Sequence, residues 1–183
     1  MCGFAGGGGV SEIVAVLVGA ILAGLFQTIS EIRQRSREAE SVLTAIASEV
    51  DSITRLIRHQ KYHEATGKIA DDVSHGMWNG TSYIIDIREN YFVTYEGLVE
   101  KLGLLKPHQV VKIVNFYAYC KSAIDSTRPD GPHANAAGTP EAAVNMVSVY
   151  QLLTAILELG SEITAMPKVT IVDQATTTVA LES

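Results

Sequence analysis

Two histidines, His59 and His63, stand four residues apart in a polar segment of the chain. On an α-helix this spacing places both imidazoles on one face, which is the geometry of a zinc-binding pair. A zinc site needs a third ligand, and the nearest carboxylate is Glu64. Metalloproteases carry a catalytic glutamate directly after the first histidine, whereas this chain has Gln60. The pair is therefore a weak metal candidate. We expect a solvated basic patch near a helix end, and we predict no cofactor.

A second polar cluster lies in a turn-rich segment that begins at residue 71 and contains Asp71, Asp72, His75 and Trp78. Loops that combine acidic and aromatic side chains are frequent sites of ligand binding. We interpret these four residues as a candidate ligand loop. The alternative is a connection between helices in which Trp78 packs against the core.

Beyond these two clusters the sequence shows no combination of nucleophile and base, so we predict that the protein is not an enzyme. Cys120 lies on the apolar side of a predicted helix, where a free cysteine is usually a small core residue. Two cysteines in 183 residues exclude a disulfide scaffold. The formal net charge of −6 argues against nucleic-acid binding, which requires clustered lysine and arginine.

An uncharged segment of 18 residues, 13–30, lies between Glu12 and Glu31. As a helix it is about 27 Å long, close to the ~30 Å thickness of the hydrocarbon core of a bilayer. A cleaved signal peptide requires a basic N-terminal region, and no Lys or Arg precedes Arg33. We therefore predict a transmembrane helix at 13–30 after a short outer tail, 1–12. A buried core helix of a soluble protein is the alternative.

Three arginines, Arg33, Arg35 and Arg37, directly follow this segment. The positive-inside rule then places the C-terminal body in the cytoplasm and the N-terminus outside. Small residues recur at a spacing of four along one face of the span, which lets helices approach closely and associate within a membrane. This predicted association face consists of Ala15, Gly19 and Ala23.

The segment after the span contains neither glycine nor proline until Gly67. Apolar residues repeat there at spacings of three and four, which predicts a long amphipathic stalk helix over 31–66. Pairing between copies of the chain and packing within one chain both fit this pattern. We expect pairing between copies, with an oligomer seam formed by Leu43, Ile46, Val50, Ile53 and Ile57.

Residues 67–166 are predicted to form a small cytoplasmic helical body, followed by a tail at 167–183. Thr94 is a predicted N-cap, and Pro107 and Pro140 suit the first turn of a helix. The short runs 83–87 and 169–172 fit either a strand or irregular structure. The predicted fold class is all-α: a transmembrane helix that continues into a long amphipathic helix, plus a small helical bundle.

The segments 95–105 (YEGLVEKLGLL) and 110–117 (VVKIVNFY) follow a membrane helix and a charged amphipathic helix. In this order they resemble a pattern in small bacterial single-pass membrane proteins that have no assigned activity. The resemblance covers residues 10–125. It implies a membrane-anchored architecture in the bacterial inner membrane and brings no site residues.

These features together predict a membrane-anchored, non-enzymatic interaction or assembly module. Its predicted partners are the lipid bilayer, further copies of the chain and a cytoplasmic protein. The alternative is a membrane effector whose cytoplasmic body senses a small molecule or nucleotide and passes the change along the long helix.

Overall fold

The computed structural model describes residues 9–78, 80, 84, 90–132 and 138–166. Within these ranges the chain forms five α-helices, one 3-10 helix and no strand, so the described part is all-α, as predicted. Most of 83–87 and all of 169–172 lie outside the described residues. The α-helices are α1 (Gly9–His59), α2 (Tyr62–Ser74), α3 (Val93–Leu98), α4 (Pro107–Thr127) and α5 (Pro140–Thr164), and the 3-10 helix is Val99–Leu104.

Helix α1 runs for 51 residues without a break, a length of about 76 Å. It already includes residues 9–12, which were predicted to belong to an outer tail. The prediction that it extends to residue 66 is wrong, because α1 ends at His59. Lys61 takes a left-handed conformation with φ 55°, which turns the chain into α2 without the help of a glycine.

Helix α5 lies at the centre of the body and contacts α1, α2 and α4. Its buried face meets the buried face of α1 and that of α4 in one hydrophobic core. Ile46, Ile113, Phe116, Met146 and Ile163 are the largest side chains in this core that are completely shielded from solvent. Burial of this apolar surface is the main force that holds the helices together.

Among the described residues, one helix, α5, is long and apolar enough to cross a membrane. One third of its most apolar window is buried inside the body, against α1, α2 and α4. The central helix of a compact protein can have the same length and apolar composition as a membrane span, so these two properties alone do not identify a span.

Two predicted helix starts are confirmed. Pro107 and Pro140 each occupy the first turn of a helix, where the missing N–H group of proline costs nothing. The N-cap predicted at Thr94 is wrong, because the N-cap of α3 is Phe92, two residues earlier, and the helix begins at Val93. The segment from Asp71 to Ser74 is the last turn of α2 rather than a loop.

Candidate functional site

Helix α1 has two parts that differ in their surroundings. In its first part the large apolar side chains that the structure describes are exposed to solvent, by 71% at Phe26 and 72% at Val16. Successive side chains of a helix are rotated by about 100°, so these exposed residues point in all directions around the axis. They are Val16, Leu17, Leu22, Leu25, Phe26, Ile29 and Ile32. The described body leaves these side chains of α1 uncovered.

The second part of α1, from Ala39 onward, is packed into the body of the same chain. The predicted oligomer seam lies here, and each of its residues is at most 8% exposed: Leu43, Ile46, Val50, Ile53 and Ile57. The assignment of these residues to contacts between copies is therefore wrong. In the described part of the same chain, α5 packs directly against α1, and these residues share one hydrophobic core with residues of α4 and α5. Packing within one chain is the alternative that the apolar repeat left open.

The predicted association face of the span is described only at Gly19. A Cβ atom added at Gly19 would meet no atom within 4 Å, so no described residue lies against the α1 backbone at this point. The side chains of Ala15 and Ala23 lie outside the described residues.

A group of cations marks the transition between the two parts of α1. Arg33, Arg35 and Arg37 are exposed, and in the described part of the chain none of them has a carboxylate within ion-pair distance. Arg35 lines a groove together with Lys106, which directly precedes α4. The segment just before α4 therefore lies at the same level along α1 as the arginines.

Glu49 connects three elements in the middle of the body. Its carboxylate accepts hydrogen bonds from the backbone N–H groups of Thr94 at 2.7 Å and Tyr95 at 3.1 Å, and from the Tyr117 hydroxyl at 2.6 Å. The two N–H groups belong to the first turn of α3, where they have no partner within the helix. Glu49 thus caps α3 from a distant part of the sequence.

The Glu49 carboxylate lies beside a cluster of aromatic rings. Tyr95 stacks on Tyr117 with ring centroids 3.9 Å apart, and Phe92 and Phe116 each meet Tyr117 edge to face. Burial, together with the hydrogen bond to Glu49 and its charge, raises the pKa of the Tyr117 phenol above its usual value. The phenol is therefore a permanent donor at neutral pH, and its role is to hold α1 and α4 together.

Next to this cluster lies a small cavity of about 60 Å³ with almost entirely apolar walls. Phe92, Cys120 and Ile156 contribute to these walls. Burial raises the pKa of the Cys120 thiol to about 12, so the sulfur stays protonated and a weak nucleophile at neutral pH. The expectation that Cys120 is a small core residue agrees with its position in the core.

The weak metal candidates do not share a helical face. His59 ends α1 and His63 belongs to α2, with the left-handed Lys61 between them. The His63 ring packs on Tyr150 and its Nε2 atom lies 3.0 Å from Thr154 Oγ1, so its partners are residues of α5. Among the described residues, no group of three or more His, Cys, Asp or Glu side chains is arranged to hold a metal ion.

The candidate ligand loop is in large part the end of α2. Asp71 and Asp72 are helical, and the His75 N–H group donates to the Asp71 carbonyl as the C-terminal cap. His75 Nδ1 also lies 3.4 Å from the Asp71 carboxylate, and both side chains are more than half exposed. Trp78 is half-buried and contacts neighbouring groups. Asp71 lines an open groove between α2 and α5 together with Tyr150, and the described geometry around the other residues is that of a helix end.

No protein-family model, curated protein or solved structure matches this chain.

Proposed function

We propose that this protein is a non-enzymatic, membrane-anchored helical module. Residues 13–30 cross the bilayer once, and the body from Ala39 to Met166 lies on the cytoplasmic side, where it recruits or assembles with a protein partner. The supporting observation is the ring of exposed apolar side chains on the first part of α1. A helix that is apolar on all sides is stable either in a protein core or in a membrane, and the described apolar side chains of this part of α1 are not packed into the core.

Self-association is part of this proposal and is assigned to the span. The apolar residues of α1 beyond Ala39 are already covered by the same chain, whereas Gly19 and the exposed side chains around it have no neighbour from the described body. In lipid, close contact between small residues is the usual source of helix association.

The alternative of a ligand-sensing effector stays a prediction. The cavity beside Cys120 is apolar and, at about 60 Å³, suits a very small apolar molecule rather than a nucleotide.

The anchor is tested by placing two charges in the span, with Leu22→Arg and Leu25→Arg combined. Each arginine near the centre of a transmembrane helix costs about 3 kcal/mol, so we expect the variant to move from the carbonate-washed membrane pellet to the soluble or aggregated fraction. The measurement is membrane fractionation followed by immunoblotting of the full chain.

The matched control places the same charges on exposed valines of the body, with Val111→Arg and Val144→Arg combined. These valines are 58% and 65% exposed, similar to Leu22 at 49% and Leu25 at 54%. We expect the control to stay in the membrane pellet. A wild-type chain that is released by carbonate contradicts the anchor, and release of the control alone contradicts an anchor at residues 13–30.

Orientation is tested with the two natural cysteines. Cys120 is 4% exposed and its thiol stays protonated, so in the folded protein only Cys2 is expected to react with a maleimide. With an N-terminus outside, a membrane-impermeant maleimide labels intact cells, and Cys2→Ser abolishes the label. Labelling that appears only after lysis, and still depends on Cys2, reverses the proposed orientation.

A further inference from the structure

The body begins very close to the predicted membrane boundary. Counted from residue 30 at 1.5 Å per residue, Arg33 lies about 5 Å and Arg37 about 11 Å beyond the span. The polar layer of one leaflet is about 5–8 Å thick, so the arginines lie within it and directly above it. The part of α1 between the predicted span and the body is therefore too short to hold the body away from the bilayer.

The structure also places a second element at this level. The 3-10 helix and the start of α4 pack against α1 beside Arg35 and Ala39, where Gly103, Leu104 and Lys106 line the same groove. Lys101 of the 3-10 helix donates to Glu38 at 2.8 Å, which fixes this contact. The body thus presents to the membrane a surface built from two separate segments.

The acidic and the basic side chains of this surface differ in how many of them have a bonding partner. Glu38 is paired with Lys101, and Glu31 accepts a hydrogen bond from Gln27 at 3.1 Å. Glu40 and Glu100 are further carboxylates of these segments. Glu40 lies about 15 Å from the end of the span, which is about one Debye length above the polar layer, so salt weakens its repulsion from the headgroups. In the described residues Arg33, Arg35, Arg37 and Lys106 take part in no ion pair.

We propose that these four cations form a basic collar, Arg33, Arg35, Arg37 and Lys106, that docks the body onto anionic lipid headgroups. The inference rests on the proposed membrane anchor and adds that the body lies on the bilayer surface. Each lysine or arginine near an anionic surface contributes about 1 kcal/mol, so four together favour docking over a free body. Lys101 and Glu38 neutralise each other, so the four cations of the collar outnumber the remaining nearby carboxylates, Glu31 and Glu100, and the surface keeps an excess of positive charge.

The test measures how near the base of the body comes to the headgroups in the full chain. In a Cys2→Ser background, a fluorophore is attached through His108→Cys, beside the collar, or through Arg58→Cys, at the far end of α1; both native side chains are exposed. The labelled proteins are placed in nanodiscs whose headgroups carry a quencher, made of phosphatidylcholine with or without phosphatidylglycerol. We expect at least about twofold stronger quenching at position 108 than at 58, and a further increase with phosphatidylglycerol.

The collar variant replaces Arg33, Arg35, Arg37 and Lys106 with glutamine. Its matched control makes the same change of charge at the other end of the body, at Arg55, Arg58, Lys61 and Lys68, and is measured with the label at position 108. We expect the collar variant, but not the control, to lose the increase that phosphatidylglycerol produces. Circular dichroism of both variants verifies that the body is folded.

Equal quenching at positions 108 and 58, or quenching that does not respond to phosphatidylglycerol, overturns the docking inference while leaving the anchor intact. A collar variant that keeps the full response overturns the assignment to these four residues. Failure of the anchor itself is distinguishable, because the wild-type chain is then absent from carbonate-washed membranes and does not enter the nanodiscs.

Discussion

Gly160→Ala is expected to destabilise the body by about 2–3 kcal/mol, although alanine is intrinsically a better helix former than glycine by about 1 kcal/mol. A Cβ atom on Gly160 of α5 would collide with Thr54 Cγ2 of α1 and lie 3.3 Å from Phe116 Cε2 of α4. Three helices meet at this point, so none can move aside without opening the core. The measurement is thermal unfolding of the purified chain in mild detergent, followed by circular dichroism.

The control for this prediction removes the atom that the new methyl group would strike. Thr54→Ser deletes Cγ2 and keeps the hydroxyl that donates to the Asp51 carbonyl at 2.9 Å. We expect Gly160→Ala in the Thr54→Ser background to cost at least 1 kcal/mol less than in the wild type. Gly97→Ala, in α3 with no atom within 4 Å of the added Cβ, should be neutral or stabilising. Equal costs in both backgrounds would contradict a close contact between α1 and α5.

Glu49→Ala is expected to lower the free energy of unfolding by about 3 kcal/mol or more. The change leaves the N–H groups of Thr94 and Tyr95 and the hydroxyl of Tyr117 without their acceptor, and each hydrogen bond to a charged group contributes about 1.5–3 kcal/mol. The first turn of α3 should loosen first, because Glu49 is its cap. Hydrogen exchange of the amides at 94 and 95, together with the thermal midpoint, measures both effects.

Two substitutions with smaller expected losses of stability serve as references for Glu49→Ala. Tyr117→Phe removes one of the three donors and should cost about 1–2 kcal/mol. Lys101→Met breaks the ion pair with Glu38, whose two side chains are 42–52% exposed, and should cost at most about 1 kcal/mol. If Glu49→Ala is no more harmful than Lys101→Met, the carboxylate does not carry the connection between α1, α3 and α4.

The elements of the body were largely predictable because their signals are local. Proline at Pro107 and Pro140 fixes a helix start, and the absence of glycine and proline after Gly24 predicts a long α1. The end of α1 was not predictable in the same way. The turn depends on a left-handed Lys61. This conformation is unfavourable for a residue with a Cβ atom, and the packing of α2 on α5 must offset its energetic cost.

The partners of side chains were the least predictable feature. An apolar repeat such as Leu43, Ile46 and Val50 shows that a helix face is buried, but a partner from another copy and one from the same chain require the same repeat. Glu49 was missed because it is a single acid on an amphipathic helix, and its three donors lie 45–68 residues away along the chain. Such a residue is recognised only when the fold brings its donors together.

The unbroken α1 also sets a mechanical relation between bilayer and body. From residue 31 to His59 the helix extends about 44 Å past the proposed span, with no glycine or proline at which it could bend. A tilt of the span by about 20°, typical of transmembrane helices, would carry its far end sideways by about 15 Å. Since α5 is packed on this same helix and shares its core with α4, the body would turn with α1. If residues 13–30 span a bilayer as proposed, a change in bilayer thickness would then be converted into a displacement of the body.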